Sequence, residues 1–405
     1  MHDVSDEIKA RIQAKGAITF EEFHSLALYW PEGGYYATRN PVGVTGDFFT
    51  APHTHPLFGT LISHLLQQQW DLLGSPAKFW AVELGAGNGR LAGDALAHLH
   101  GLSSPFSSAL AYVGVDVQPY RSAPGSKLQR VQSGALPFRS LTGCVLANEL
   151  LDAMPVHRVT LEQGELREVY VTLSPDGALS EQIGSLSVPT LAERFADLGV
   201  RLSEGYRAEV NLGLDEWFSD LSRSITQGYV LLIDYGHDAP VFYDESRRRG
   251  TLRCYYRHTM NANPYQHVGS QDISVHVEFT SVMRAAERHG FTVRGYTTQR
   301  DFLMGLGLGQ YREAIDQRRD LSAQVRHANL KAADMLTGSD GMGGFKVLAL
   351  GKNVPDAPLQ GFTGEEPLIA SELLEYPPML TLDHLFSNPA NQEVPDLPSW
   401  HDLIT

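Results

Sequence analysis

Cysteine is almost missing: Cys144 and Cys254 are the only two in 405 residues. Two thiols so far apart cannot build a four-ligand zinc site or a disulfide framework, so a reducing cytoplasm is the expected setting. Long apolar runs are missing too, since no stretch approaches the about 18 uninterrupted apolar residues a membrane helix requires. The start, MHDVSDEIKARIQAKG, is acidic and amphipathic, with no apolar segment behind a basic one, so no signal or transit peptide and no membrane span are expected. Positive charge is scarce: 32 Lys+Arg stand against 47 Asp+Glu, a formal net charge of −15. A broad phosphate-neutralising face, and with it nucleic-acid binding, is not expected.

What is present suits a large α/β domain with a second unit: 42% apolar residues, 20% charged residues and 38 glycines. Residues 5–30 carry helical spacing, with Thr19 and Glu22 as a T-x-x-E capping box. The stretch 33–56, rich in Gly, Pro, aromatics and hydroxyls, has no period and reads as a structured loop, before helical spacing returns over 57–73. Short apolar runs then alternate with helical segments: FWAVEL (79–84), ALAYVGVD (109–116), CVLANE (144–149), YVLLIDYG (229–236), a helix stopped by Gly290 with a strand behind it, and GGFKVLALGK (343–352). This alternation predicts a doubly wound, mostly parallel sheet with helices on both faces, its last strand free to return antiparallel.

The expected organisation is an N-terminal helical and loop segment over the active site (1–75), a first core part (76–157), an inserted cap (158–227), a second core part (228–352) and an irregular tail (353–405). The cap should hold a hairpin over 158–177 and helices near 189–197 and 213–226; a helical pair is expected within 298–342.

The strongest local signal is VELGAGNGRLAGDAL, where Gly85, Gly87 and Gly89 lie between a strand and a helix and Glu83 precedes them. Glycines there permit a tight turn and bring backbone N–H groups close to a ligand. A dinucleotide would call for G-x-G-x-x-G, yet the third glycine comes one residue early and Arg90 follows it. Asp116 ends the second strand, where an acid accepts hydrogen bonds from both ribose hydroxyls. Glycine turn and acid together imply an adenosine-like ligand, and with no Walker lysine the expected cofactor is S-adenosyl-L-methionine. The CVLANE strand ends in ANELLDAMPVHR, placing Asn148, Glu149 and Asp152 at the rim where α/β sheets bind ligands. Glu149 and Asp152 are three apart and on one helical turn would share a face, suited to orienting a cation or taking a proton.

Several motifs in one order resemble the MidA family, class I S-adenosylmethionine-dependent methyltransferases that include a mitochondrial complex I assembly factor methylating an arginine. They are GDFFTAP (46–52), ELGAGNGRL (83–91), ANELLDAMPVHR (147–158), IDYGH (233–237), HVEF (276–279), TTQRDFL (297–303) and FKVLALGK (345–352). The resemblance implies a seven-stranded Rossmann-like methyltransferase sheet, a GDFFTAP loop that brings Asp47 and Thr50 near the cofactor, and His276 as a pocket residue. Members commonly read ELGPGRGTL, S-P-E and HVDF where this chain has ELGAGNGRL, Ala51-Pro52-His53 and HVEF, and typically carry Glu where Asp116 stands. No substrate contact is assigned at His53.

The expected site therefore comprises Glu149, Asp152 and His276 for chemistry, and Asp47, Thr50, Glu83, Gly85, Gly87, Gly89, Asp116 and Asn148 for the cofactor. No metal is expected, because His53, His55, His276 and Glu278 lack the spacing of a closed site. Methyl transfer from a sulfonium asks mainly for in-line positioning and desolvation. A guanidinium acceptor must in addition be held by carboxylates, for which Glu149 and Asp152 are the candidates. The expected substrate is an arginine-bearing protein. Alternatives are a small-molecule oxygen or nitrogen acceptor, a non-catalytic assembly factor and, by fold alone, an NAD-binding enzyme; homodimerisation is left open.

Overall fold

The computed structural model describes residues 3–38, 50–100, 104–119, 127–257, 259–381 and 384. Helices α1 (Val4–Lys15), α2 (Phe20–Tyr29) and α3 (Leu57–Leu72) come first. The alternating part follows as β1 (Phe79–Leu84), α4 (Arg90–His100), β2 (Leu110–Asp116), β3 (Gln129–Gln132), β4 (Leu141–Asn148), α5 (Leu214–Ser224), β5 (Ile225–Asp234), α6 (Phe279–Arg288), β6 (Thr292–Thr298) and β7 (Lys346–Lys352). α2 starts where the sequence placed its box: the Thr19 side chain accepts from the Glu22 N–H at 3.1 Å.

These seven strands form one sheet in the order β6-β7-β5-β4-β1-β2-β3. From β3 to β5 every pairing is parallel, whereas β7 runs antiparallel to both β5 and β6. The sheet is thus mixed. A strand that returns beside its predecessor needs no crossover to the far edge, so β7 slots between β5 and β6 in the reverse direction. Alternation along the buried strands feeds two cores: Phe79 and Ala81 of β1 pack under α3 and α4, while Val82 and Leu84 face α5 and α6. On α3, Phe58, Leu61 and Leu65 are fully buried, each contributing roughly 1.5–3 kcal/mol of apolar burial.

A second, five-stranded sheet is made of Ile18–Thr19, His157–Glu162, Glu165–Leu173, Leu179–Gly184 and Arg207–Val210, so the N-terminal part adds a strand to the stretch expected over 158–227. Its hairpin turns at Gln163 and Gly164, both at positive φ, within the 158–177 stretch where a hairpin is expected. The stretch 1–75, read as one segment, is divided between two cores. Val4, Ile8, Phe20 and Phe23 pack with Val171, Cys254 and Ile273, whereas α3 belongs to the main sheet. A three-stranded sheet of Arg253–Tyr256, Thr259–Asn261 and Asp272–Ser274 was invisible in the sequence, because strands of three or four residues show no usable alternation. The 298–342 excursion holds three helices, Gln299–Met304, Leu308–Gln317 and Ala323–Met335, rather than a pair. No helix among the described residues is long and apolar enough to cross a membrane.

Candidate active site

β1 lies between β2 and β4, where the strand order reverses, and loops leaving neighbouring strands toward opposite faces open a crevice at their C-terminal ends. The register pairs Leu84 with Val115 on one side and Ala147 on the other. Gly85, Asp116 and Asn148, each one residue further on, therefore stand at one height along the edge. A cavity of about 750 Å³ opens there, within the range of ligand sites.

Gly85, Gly87 and Gly89 all take positive φ, at 67°, 50° and 81°. A Cβ on Gly89 would stand 2.2 Å from the Arg130 guanidinium, whereas one on Gly87 would meet nothing within 4 Å. Arg130, on β3, donates to the carbonyl of Gly87 at 2.8 Å and to that of Asn88. The Asp116 carboxylate accepts the N–H groups of Gly87 at 2.8 Å and Gln118 at 2.9 Å. Acid and glycine turn are thus one unit, closed by hydrogen bonds across the β1–β2 pair.

At the tip of β4, Glu149 holds a φ of 49°; for a side chain of this size such a backbone costs about 1–3 kcal/mol and persists only where the surroundings enforce it. Its N–H donates to the Ile233 carbonyl at 2.8 Å. Its Oε1 accepts the Ala51 N–H at 3.4 Å and the Asn148 side-chain amide at 3.2 Å, and Oε2 has no hydrogen-bond partner among the described residues. Asn148 Oδ1 is buried and likewise has no partner among them. Burial, with the nearby Asp152 carboxylate, pushes the Glu149 carboxyl up to about 8. Burial also lifts Glu83 to about 8, against the pull of a 3.0 Å hydrogen bond from the Tyr112 hydroxyl.

Of the expected residues, Thr50, Glu83, Gly85, Gly87, Asp116, Asn148 and Glu149 line the cavity. Gly89 stands behind the turn against Arg130, and Asp47 lies outside the described residues. Asp152 and His276 do not line it. The left-handed Glu149 breaks the helical phase, so the following turn, Leu151–Ala153, carries Asp152 away from the Glu149 face. Asp152 is buried and accepts the Tyr235 hydroxyl at 2.5 Å. His276 sits in a separate cavity of about 30 Å³ with Glu209 and Glu278, its ring 5.3 Å from that of Tyr235, and Glu278 caps α6 by accepting the Thr280 N–H at 2.7 Å.

The cavity also takes residues the sequence reading did not assign. Tyr29 and Tyr36 stack at 5.7 Å and line one side; their hydroxyls donate to the Ala153 carbonyl at 2.9 Å and to Asp272 Oδ1 at 2.8 Å. Trp217, Glu216 and Asp220 of α5 line another part. The doubled tyrosine in GGYYATRN was visible, but nothing in a period-free loop says which way it folds. His53 is held at 2.9 Å from the Thr50 hydroxyl and 3.1 Å from the Asn88 amide, and burial pushes its pKa down to about 4. As a neutral ring accepting from Asn88, it braces the glycine turn.

These shifts set a pH dependence of stability. Buried His24, His53 and His64, each lowered to about 4, bind fewer protons folded than unfolded, so their contribution rises with pH and is complete above about 6.5. Glu83 and Glu149, raised to about 8, bind more protons folded than unfolded, so their contribution is lost as pH climbs through 8. The melting temperature of the cofactor-free protein should therefore fall between about pH 6.5 and 8.5, and less steeply in Glu149→Gln. A thermal-shift series that stays flat or rises across that window contradicts the assignment.

The sequence model of a family described as S-adenosyl-L-methionine-dependent methyltransferases matches residues 61–297. The human mitochondrial protein arginine methyltransferase NDUFAF7 is 29% identical over 388 residues, 87% of this chain and 83% of that protein. Its Drosophila melanogaster homolog is 28% identical over 324 residues, covering 71% and 70%. A crystal structure of a superfamily member from Burkholderia thailandensis bound to S-adenosyl-homocysteine superposes with a TM-score of 0.80 at 29% identity, covering 89% of this chain and 94% of that one.

Proposed function

We propose, from the premise that the chain belongs to the MidA family of S-adenosyl-L-methionine-dependent methyltransferases, that its methyl acceptor is an arginine side chain of a protein substrate. The cofactor is S-adenosyl-L-methionine, which when bound supplies an electrophilic sulfonium methyl and a neutral thioether leaving group. The residues present fit it: Gly87 leaves open space where a side chain would stand, Asp116 has lone pairs beyond those its two backbone donors use, and Asn148 Oδ1 awaits a donor.

The observation that carries the acceptor reading is Glu149. A strained backbone holds it beside the glycine turn, one carboxylate oxygen fixed and the other without a partner among the described residues. A guanidinium is cationic and a poor nucleophile; a carboxylate can pair with it and take its proton as the N–C bond forms. Burial holds the Glu149 carboxyl at about 8 in the empty site, and an entering cation favours its ionised form, so the group meets the acceptor as a carboxylate. Glu216 on the wall adds negative potential that attracts a basic segment, while Asp220 beside it is paired with Arg223. The names of the curated relatives support the same acceptor.

The test is incubation with methyl-labelled S-adenosyl-L-methionine and three peptides that carry arginine, lysine or neither, read by mass spectrometry of the acid hydrolysate. Methylarginine is the expected product. Label that appears only on lysine, or only on an added small-molecule alcohol or amine, overturns the arginine reading and leaves the methyltransferase.

Asp116→Ala should weaken S-adenosylhomocysteine binding roughly tenfold or more, because charge-assisted hydrogen bonds contribute about 1.5–3 kcal/mol each. The structure adds a second reason, since the same change frees the Gly87 N–H. Calorimetry with the ribose and 2′-deoxyribose forms separates the two: if the deoxy analogue binds the wild type as well as the parent does, Asp116 only holds the turn.

A further inference from the structure

The left-handed turn at Glu149 has to be enforced by something, and the hydrogen bonds around it converge on one buried side chain. Asp234, the last residue of β5, accepts the N–H groups of Leu151 at 2.9 Å and Asp152 at 3.2 Å on Oδ2, and that of Tyr235 at 2.9 Å on Oδ1. The residue before it, Ile233, accepts the Glu149 N–H at 2.8 Å. The end of β5 therefore grips the chain just after the tip of β4 at three successive donors, on both sides of Leu150. Further along, the Tyr235 hydroxyl donates to Asp152 at 2.5 Å and the Val275 N–H to the Asp152 carbonyl at 3.0 Å, so the turn is also pinned from its far end. Asp234 lines neither cavity and is buried, so direct contact with cofactor or acceptor is not its role.

We propose that Asp234 is a positioning residue for methyl transfer: its side-chain oxygens hold the turn that keeps Glu149 in its left-handed backbone and the free oxygen of Glu149 in the cavity. This rests on the reading of Glu149 as the group that meets the acceptor. In Asp234→Ala the turn loses the acceptor for its Leu151 and Asp152 N–H groups, and the strain at Glu149 can relax toward an ordinary backbone that carries the carboxylate out of place. The glycine turn, built on β1, β2 and β3, keeps its own hydrogen bonds to Asp116 and Arg130.

The experiment is a double-mutant cycle with Asp234→Ala, Asp234→Asn, Glu149→Gln and the combination Glu149→Gln with Asp234→Ala, each measured for kcat, acceptor KM and S-adenosylhomocysteine Kd. Asp234→Ala should lower kcat by about tenfold or more, with cofactor Kd changed less than about twofold. Asp234→Asn, which keeps an oxygen for the Leu151 and Asp152 donors, should recover part of the loss. In the Glu149→Gln background, Asp234→Ala should slow transfer by less than about twofold, because the group it positions is already disabled. If Asp234→Ala does not fold, the cycle is run with Asp234→Asn, for which the same non-additivity is expected. A kcat unchanged in Asp234→Ala while Glu149→Gln is slow overturns this inference alone, as do additive losses. Wild-type turnover in Glu149→Gln overturns the reading beneath it, and this inference with it.

Discussion

Glu149→Gln is expected to slow methyl transfer by about 10²-fold or more, the range for a lost general base or charge-orienting group. The substitution keeps the length of the side chain and an oxygen able to accept the Ala51 N–H and the Asn148 amide, so the local hydrogen bonds survive. What it removes is the charge that pairs with a cationic acceptor and the site that takes its proton. Cofactor affinity should change little, since the glycine turn and Asp116 are held by contacts independent of Glu149. Stability at pH 7 should hold or rise, because a carboxyl raised by burial to about 8 weakens the fold as it ionises. Single-turnover transfer measured beside a cofactor titration decides the matter. Normal transfer would leave Glu149 as a structural turn residue, and an equal loss of cofactor binding would make it a cofactor ligand instead.

The cavity residues legible in the sequence are those whose chemistry coincides with a local pattern. Gly85, Gly87, Asp116 and Glu149 each end or follow an apolar run, and in a doubly wound sheet the ends of adjacent strands necessarily meet at the switch point. Asp152 was misplaced because spacing arguments assume a continuous helical turn, and the positive φ of Glu149 interrupts it. Tyr29 and Tyr36 were missed for another reason: Tyr29 reaches the cavity because α2 packs on the five-stranded sheet, and Tyr36 because its hydroxyl is held by Asp272, contacts between parts more than a hundred residues apart that no local pattern records. β3 escaped notice since three of its four residues, Gln129, Arg130 and Gln132, are polar and it sits at the sheet edge, yet it carries the Arg130 that ties down the glycine turn. Asp234 appeared in the sequence only as part of the YVLLIDYG run and of IDYGH, and its grip on the β4 tip emerges from the parallel pairing of β4 with β5.

Gly87→Val should abolish measurable binding of S-adenosylhomocysteine. Gly87 has a φ of 50°, faces the cavity, and has nothing within 4 Å of where a Cβ would stand. In the cofactor-free protein a side chain there meets no steric obstacle, so the fold is penalised only through the backbone, by about 1–2 kcal/mol for a left-handed residue and more for a β-branched one. The open space is the cavity itself, and a branched side chain placed in it occupies volume a ligand seated on the glycine turn would need. Gly87→Ala separates the two costs: it carries most of the backbone strain with one methyl of bulk, so its affinity should lie between wild type and Gly87→Val at a similar melting temperature. Calorimetry and thermal denaturation on all three proteins read both quantities. Affinity retained in Gly87→Val would remove the glycine turn from the cofactor site, whereas affinity lost in step with the melting temperature across the series would assign the effect to the backbone and not to the ligand.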